Sequence, residues 1–217
     1  ITPVPNANGD VPITVTVEDP GLDGDFETTD DNGVTSTTFT VSITPVNDSP
    51  TLSPLVDLEI LEDANAVNLE LKHISDGDGG GQPLKISAHT DNETLFSIFD
   101  VSYTSDEAEG LLNLQPNENS HGTALISLTV EDGGLDKDLA TGEDNATFMR
   151  SFEITVLPVN DAPEIDAIEN STIDEGAINA EINMTGINAG GGETQPLRVT
   201  ATSSDLVILP GPIVDYT

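Results

Sequence analysis

The sequence ITVTVE at residues 13–18 alternates apolar side chains with threonine or glutamate. The same alternation occurs at residues 39–44, where Phe39, Val41 and Ile43 are the apolar members. A period of two places successive side chains on opposite faces of an extended chain, so both stretches predict strands with one buried face. Both patterns return at residues 126–130 and 152–156, and we therefore expect two hairpins of the same kind.

These patterns belong to a repeat with an offset of 113 residues. The segment TPVNDSP at 44–50 returns as LPVNDAP at 157–163, and VEDPGLD at 17–23 returns as VEDGGLD at 130–136. A constant offset without insertions indicates tandem units of one domain each. We therefore expect three parts: the C-terminal part of one unit at 1–49, a complete unit at 50–162, and the N-terminal part of the next unit at 163–217.

The complete unit contains five further stretches that favour strands. Clusters of Gly, Asn and Asp separate them, and no stretch has the pattern of an amphipathic helix. Seven short strands in a unit of this length predict an all-β fold, a series of tandem seven-stranded Greek-key β-sandwiches. The additional strands are expected at 55–61, 66–72, 83–90, 95–103 and 111–115.

The composition excludes several classes of protein. The chain has 40 acidic and 5 basic residues and a net charge of −35, so it repels nucleic acid and anionic lipid. It has no cysteine, which excludes disulfides, thiolate zinc sites and a cysteine nucleophile. No apolar run is long enough to cross a bilayer, and no hydrolase or P-loop motif is present. We expect a protein that is not an enzyme, does not bind nucleic acid and does not insert into a membrane.

Three short motifs lie where the expected strands and linkers meet. PVNDAP at 158–163 is bracketed by prolines and resembles the Asn-Asp linker that ends cadherin domains. Asp76-Gly77-Asp78 resembles the Asp-x-Asp loop of the same domains, and VEDGG at 130–134 resembles the turn of their last hairpin. The chain therefore resembles the bacterial cadherin-like, Ig-like tandem repeats of large extracellular and surface proteins.

This resemblance implies calcium ions at the junctions between units. At the first junction the matching residues are Asn47, Asp48, Asp76, Asp78 and Asp132. Glu62 and Glu175 match the early-strand glutamate of the family, which serves the far end of its own domain. The remaining matches are Asn160 and Asp161 at the second junction, and Asp19, the repeat counterpart of Asp132.

The residue chemistry is compatible with calcium, which takes six to eight oxygen ligands. Asp76 and Asp78 flank a glycine bend and are expected to present two carboxylates on one side. The next unit has Ala189 and Gly191 at these places and only Glu193 nearby, so we expect weak binding or none at the second junction. The alternative is that these residues form ordinary turns. The acidic hairpin loops at 18–31 and 131–144 are interpreted as solvated charge, with a further ion site as the alternative.

The sequence thus predicts an extracellular, secreted or cell-surface structural segment stiffened by calcium, such as an adhesin stalk or a matrix component. Its expected partners are adjacent repeats, copies of itself, and surface glycans or proteins reached through other parts of the protein. One alternative is a fibre subunit, in which residues 163–217 are completed by residues 1–49 of a neighbour. Another is an accessory module of a secreted enzyme. Candidate glycosylation sequons begin at Asn47, Asn92, Asn145, Asn170 and Asn183.

Overall fold

The structure, a computed structural model, describes residues 1–28, 30–178 and 180–216. In this part of the chain all regular structure is β apart from a single 3₁₀ turn at Glu93–Leu95, and no helix is long and apolar enough to cross a membrane. The predicted all-β class is confirmed. The strands are β1 (Gly9–Glu18), β2 (Val34–Ile43), β3 (Leu58–Leu61), β4 (Val67–Lys72), β5 (Leu84–Thr90), β6 (Phe96–Ser102), β7 (Glu109–Pro116), β8 (Gly122–Asp132) and β9 (Thr147–Leu157).

Strands β3 to β9 form a sandwich of two sheets. One sheet has the order β3-β9-β8-β5 and the other has the order β4-β7-β6. Strand β3 runs parallel to β9, whereas the other pairs are antiparallel. The first strand of the unit therefore lies beside the last one, and the two linkers leave from opposite ends of the sandwich.

The core lies between the two sheets, where the alternating pattern predicted it. Ile126 of β8 pairs with Phe152 of β9, and Ala124 pairs with Ile154. These four side chains are at most 3% exposed, and Leu112 of the facing sheet is fully buried. Burial of a side chain of this size contributes about 1.5–3 kcal/mol, so this face provides most of the stability of the unit.

The two flanking segments lack such a core. Strands β1 and β2 form a separate hairpin in which Ile13 pairs with Phe39, and Phe39 is 47% exposed. Residues 163–178 and 180–216 form no strand, although an antiparallel bridge joins Glu164 to Asn188. The strands expected there from the repeat are not formed, because no neighbouring strands provide partners for their backbone groups.

Candidate cation site at the unit junctions

The first junction brings together the linker, the glycine-rich loop and the last hairpin of the sandwich. The Asn47 side-chain amide donates to Asp132 Oδ1 and to the carbonyl of Asp144, both at 3.0 Å. The backbone N–H of Asp48 donates to Asp78 Oδ2 at 3.1 Å. The side-chain amide of Gln82 donates to both Asn47 and Asp78 and so joins the two pairs, and Asp76 joins them through the N–H of Asp78. All five residues implied by the resemblance therefore lie in one network.

Asp76 is buried and holds the glycine-rich loop. Its Oδ1 accepts from the N–H groups of Asp78 and Gly80, and its Oδ2 accepts from the N–H of Gln82. The side chain is 2% exposed. The Asp76 carboxylate therefore holds the loop through backbone N–H groups, whereas the Asp78 carboxylate accepts from the linker.

Two buried oxygen atoms at this junction have no hydrogen-bond partner. One is Oδ2 of Asp132, which is fully buried, and the other is Oε1 of Gln82, which is 5% exposed. The other Asp132 oxygen accepts from the N–H groups of Gly134 and Ala146 as well as from Asn47. An unpaired buried carboxylate oxygen is costly, so this arrangement suits a cation that would accept the free lone pairs.

The oxygens at the junction are of mixed type. Among the described residues no three His, Asp or Glu side chains form a ready metal cluster. The junction instead offers carboxylate oxygens together with amide oxygens of Asn47 and Gln82. Hard cations such as calcium accept both types, so the donor set fits calcium better than a metal that requires imidazole or thiolate.

The second junction repeats the bond between the linker and the loop, with a different acidic residue. The N–H of Asp161 donates to Glu193 Oε2 at 3.1 Å, as the N–H of Asp48 does to Asp78. Glu193 stands two positions after Gly191, the repeat counterpart of Asp78. Its longer side chain brings a carboxylate back to the linker, whereas the position of Asp76 is held by the buried, neutral Ala189.

Glu62 contacts the second linker, which lies at the far end of its own unit. The resemblance assigned Glu62 to this end. Its carboxyl is 1% exposed, and Oε1 accepts from the N–H of Val159 at 2.7 Å. Its Oε2 lies 3.2 Å from Nδ1 of His121. The pKa of Asp161 is raised by burial and by the negative charges of Asp63, Glu193, Glu62 and Glu164. The second junction therefore concentrates negative charge around the linker.

The structure does not bring every candidate ligand to a junction. Asp19 lies in the loop of the β1–β2 hairpin, where its Oδ1 accepts from the N–H groups of Gly21 and Gly33. Glu175 is exposed in a turn. Asn160 joins the second junction, since its Oδ1 accepts from the side chain of Gln195 at 3.2 Å.

The acidic hairpin loops are ordered turns rather than loose charge. In the second loop Asp144 accepts from the N–H of Leu135 at 2.8 Å, and Asp136 accepts from the N–H of Asp138. Asp31 and Asp23 make the equivalent bonds in the first loop. The side-chain carboxylates thus accept hydrogen bonds from backbone N–H groups, as in Asx turns.

The sequons differ in how accessible the asparagine is. Asn170 and Asn183 are exposed. The side-chain amide of Asn92 donates to the carbonyl of Thr123, and that of Asn145 donates to Glu131 and to the carbonyl of Leu139. Asn47 is committed to the first junction through both of its side-chain polar atoms.

Sequence reasoning missed three residues of the junctions. Gln82 returns at the repeat offset as Gln195, and this repetition was the signal that could have identified it. Asp144 was treated as solvated charge, but its carbonyl accepts from Asn47. His121 was given no role, and it faces the buried Glu62 because the loop between β7 and β8 lies at the same end of the sandwich as the end of β3.

Comparisons with known proteins identify a likeness of fold. No protein-family model matches the sequence, and no curated protein matches it. The human desmocollin-1 ectodomain is 17% identical over 72% of this chain, with a TM-score of 0.44. Protocadherin gamma B2 cadherin domains 3–6 are 18% identical over 76% of this chain, also with a TM-score of 0.44. Domains 4 and 5 of the surface-layer protein SbsC are 13% identical over 58%, with a TM-score of 0.32.

The chain covers 29%, 38% and 63% of those three structures, respectively. At TM-scores of 0.32 to 0.44, each of these structures is similar to this chain only in part. At these identities the matches give no information on the side-chain chemistry of the junctions.

Proposed function

We propose that this chain is a non-enzymatic structural segment of an extracellular protein, in which β-sandwich units follow one another and calcium stiffens the linkers. Each sandwich would act as a spacer. The ion would bind where the linker meets the glycine-rich loop and the last hairpin, and would neutralise carboxylates that otherwise repel one another. Adhesin stalks and matrix fibres are the setting that such a segment suits.

The observation that carries the proposal is the unpartnered Oδ2 of Asp132 at the first junction. It belongs to a fully buried carboxylate whose other oxygen accepts from Asn47 of the linker. Asp132 and Asn47 would hold the ion directly, while Asp48 and Asp78 supply further carboxylate oxygens from the linker and the loop. The chain's own contribution is to place these oxygens together before an ion arrives.

Thermal unfolding of the full chain in excess calcium and in chelator tests the proposal. A free calcium concentration of about 100 times the dissociation constant adds about 2.7 kcal/mol to the free energy of unfolding. This corresponds to a rise in Tm of roughly 10 °C. Asp132→Asn keeps the size of the side chain and removes its charge, so we expect it to abolish most of this rise. In chelator the variant keeps an oxygen that can accept from Asn47, Gly134 and Ala146, so we expect its Tm to stay near that of the parent chain.

Asp19→Asn is the matched control. Asp19 is the repeat counterpart of Asp132 but is exposed and far from a linker asparagine, so its variant should keep the full response to calcium. A parent chain whose Tm is the same in calcium and in chelator would refute the cation-stiffened spacer. Equal loss of the response in both variants would refute the placement of the ion at the first junction.

The β1–β2 hairpin favours a second candidate, self-assembly by strand complementation. Val15 and Phe39 lie on its apolar face and are 45% and 47% exposed, whereas the counterpart of Phe39 in the sandwich, Phe152, is 3% exposed. Residues 163–217 of a neighbouring copy could cover this face. One observation disfavours complementation. Neither 1–49 nor 163–217 contains the repeat counterpart of residues 105–113. That stretch includes most of β7, the middle strand of its sheet.

Sedimentation of the full chain distinguishes the two candidates. If copies complement one another, the chain forms oligomers whose size grows with concentration, and Val15→Asp should abolish them. Thr16→Asp places the same charge on the opposite face of the hairpin and should leave them intact. A monomer at every concentration would exclude complementation and leave the spacer.

A further inference from the structure

A glutamine side chain connects each linker to the unit that follows it. At the first junction Nε2 of Gln82 donates to Asn47 Oδ1 at 2.8 Å and to Asp78 Oδ2 at 2.9 Å. Asn47 belongs to the linker and Asp78 to the glycine-rich loop. The same Asp78 oxygen accepts from the N–H of Asp48, so one amide and one carboxylate hold two successive linker residues.

The second junction has the same bonds although its acidic residue is different. Nε2 of Gln195 donates to Asn160 Oδ1 at 3.2 Å and to Glu193 Oε2 at 2.8 Å. Glu193 Oε2 also accepts from the N–H of Asp161. The glutamine, the linker asparagine and the linker aspartate are common to both junctions, whereas the loop carboxylate comes from a different sequence position in each.

We propose that Gln82 and Gln195 are positioning residues, each forming a latch that fixes its linker to the following unit without a metal ion. The latch consists of the glutamine, the linker asparagine, the loop carboxylate and the N–H of the linker aspartate. The orientation of Asn47 and Asp78 toward a cation rests on the proposed function. The latch itself consists of hydrogen bonds between protein groups. The second junction is therefore held in place even where its cation ligands are reduced.

The chemistry of the amide explains why a glutamine suits this position. Its NH₂ group has two N–H donors, one for each of the two acceptors, and it carries no charge. A glutamate there would have no donor at neutral pH and would repel the loop carboxylate. In a chain with a net charge of −35, a neutral donor joins a carboxylate to the linker without adding to the repulsion.

Gln82 is 5% exposed, and its Oε1 has no partner. The side chain is therefore held in a buried place by the two bonds of its Nε2 and by the packing around it. The unpaired Oε1 is available to coordinate a cation, while Nε2 keeps its hydrogen bond to the linker. Gln195, by contrast, is exposed, so the latch at the second junction can be altered without disturbing a core.

Hydrogen exchange of two linker amides in the full chain tests the latch. In chelator we expect Gln82→Leu to speed exchange of the Asp48 N–H about fivefold, the effect of losing one ordinary hydrogen bond, while the Asp161 N–H stays unchanged. Gln195→Leu should have the reciprocal effect. Gln115→Leu is the control, since the described contacts of Gln115 involve its backbone carbonyl rather than its side chain.

Protection of the Ile126 amide in the core shows whether each variant is folded. If Gln82→Leu does not fold, Gln195→Leu decides the question, because that residue is exposed. A folded variant whose own linker amide exchanges at the parent rate in chelator would overturn the latch.

The same variants separate the latch from the proposed cation site. If calcium does not change the Tm of the parent chain but the two glutamine variants speed exchange in chelator, the cation site fails and the latch stands. If calcium raises the Tm of Gln82→Leu by as much as it raises the Tm of the parent chain, Gln82 does not position the cation ligands.

Discussion

At the scale of single residues, the close approach of the loop to the linker depends on one glycine. Gly77 has φ of 87°, and a Cβ there would lie 2.5 Å from the carbonyl oxygen of Ser49. Gly190 has the same role at the second junction, where a Cβ would collide with the carbonyl of Ala162. Glycine at these positions lets the loop backbone reach the linker backbone directly.

Comparison of two alanine variants isolates this contact. Gly79 also has φ of 87°, but a Cβ there would meet nothing within 4 Å. Gly79→Ala should cost about 1–2 kcal/mol for the left-handed conformation alone. Gly77→Ala should cost about 1–3 kcal/mol more, because the linker must also move. Equal free energies of unfolding, measured with denaturant, would show that the linker is not held against the loop.

The sequence predicted the buried positions well but the contacts of the polar ones only in part. Alternation identified Ile126 and Phe152 as inward-facing, since burial on a strand follows a period of two. The sequence placed Glu193 near the second junction but could not predict its bond to the Asp161 N–H, because a glutamate two positions further on replaces an aspartate only through the reach of its side chain. Glu62, directly after β3, is buried beside a distant part of the chain, since its carboxylate accepts from the N–H of Val159 at the next linker.

At the scale of elements, the β8–β9 hairpin is shaped by its own carboxylates. Asp144 Oδ2 accepts from the N–H of Leu135, and Asp132 Oδ1 accepts from the N–H groups of Gly134 and Ala146. The loop is therefore folded by side-chain acceptors at both of its ends. The β1–β2 hairpin repeats these bonds, which indicates that the loop conformation is a local property of its sequence.

Two substitutions at Asp144 separate a structural acceptor from an ion ligand. Asp144→Asn keeps an oxygen acceptor and should change the free energy of unfolding little, while Asp144→Ala leaves the N–H of Leu135 without its partner and should cost about 1–2 kcal/mol. Denaturant unfolding in chelator measures both. A large loss of stability in the asparagine variant, appearing only when calcium is present, would indicate an ion in this loop instead.

At the scale of the whole molecule, charge dominates the behaviour of the chain. The 40 acidic residues face only 5 basic ones, of which Lys72 and Lys85 form exposed ion pairs with Glu70 and Glu131. Such pairs contribute little. Repulsion among the remaining carboxylates therefore opposes the compact state wherever no cation screens it.

Monovalent salt alone should consequently stabilise the chain in chelator. The screening length falls from about 30 Å at 0.01 M to about 3 Å at 1 M salt, so the Tm should rise over this range by several degrees. Calcium at far lower ionic strength should raise it further if a specific site exists. A Tm that is independent of monovalent salt would show that long-range repulsion is not a limit on stability.

The pairing of β3 with β9 has a mechanical consequence. Leu58 to Leu61 pair in parallel with Ile154 to Leu157, so the strands that lead to the two linkers lie side by side and point the same way. Tension applied through the linkers pulls these strands past each other along their length. The hydrogen bonds of the ladder then share the load and have to break together rather than one after another. A unit built in this way resists pulling force along the same axis on which a stalk would carry it.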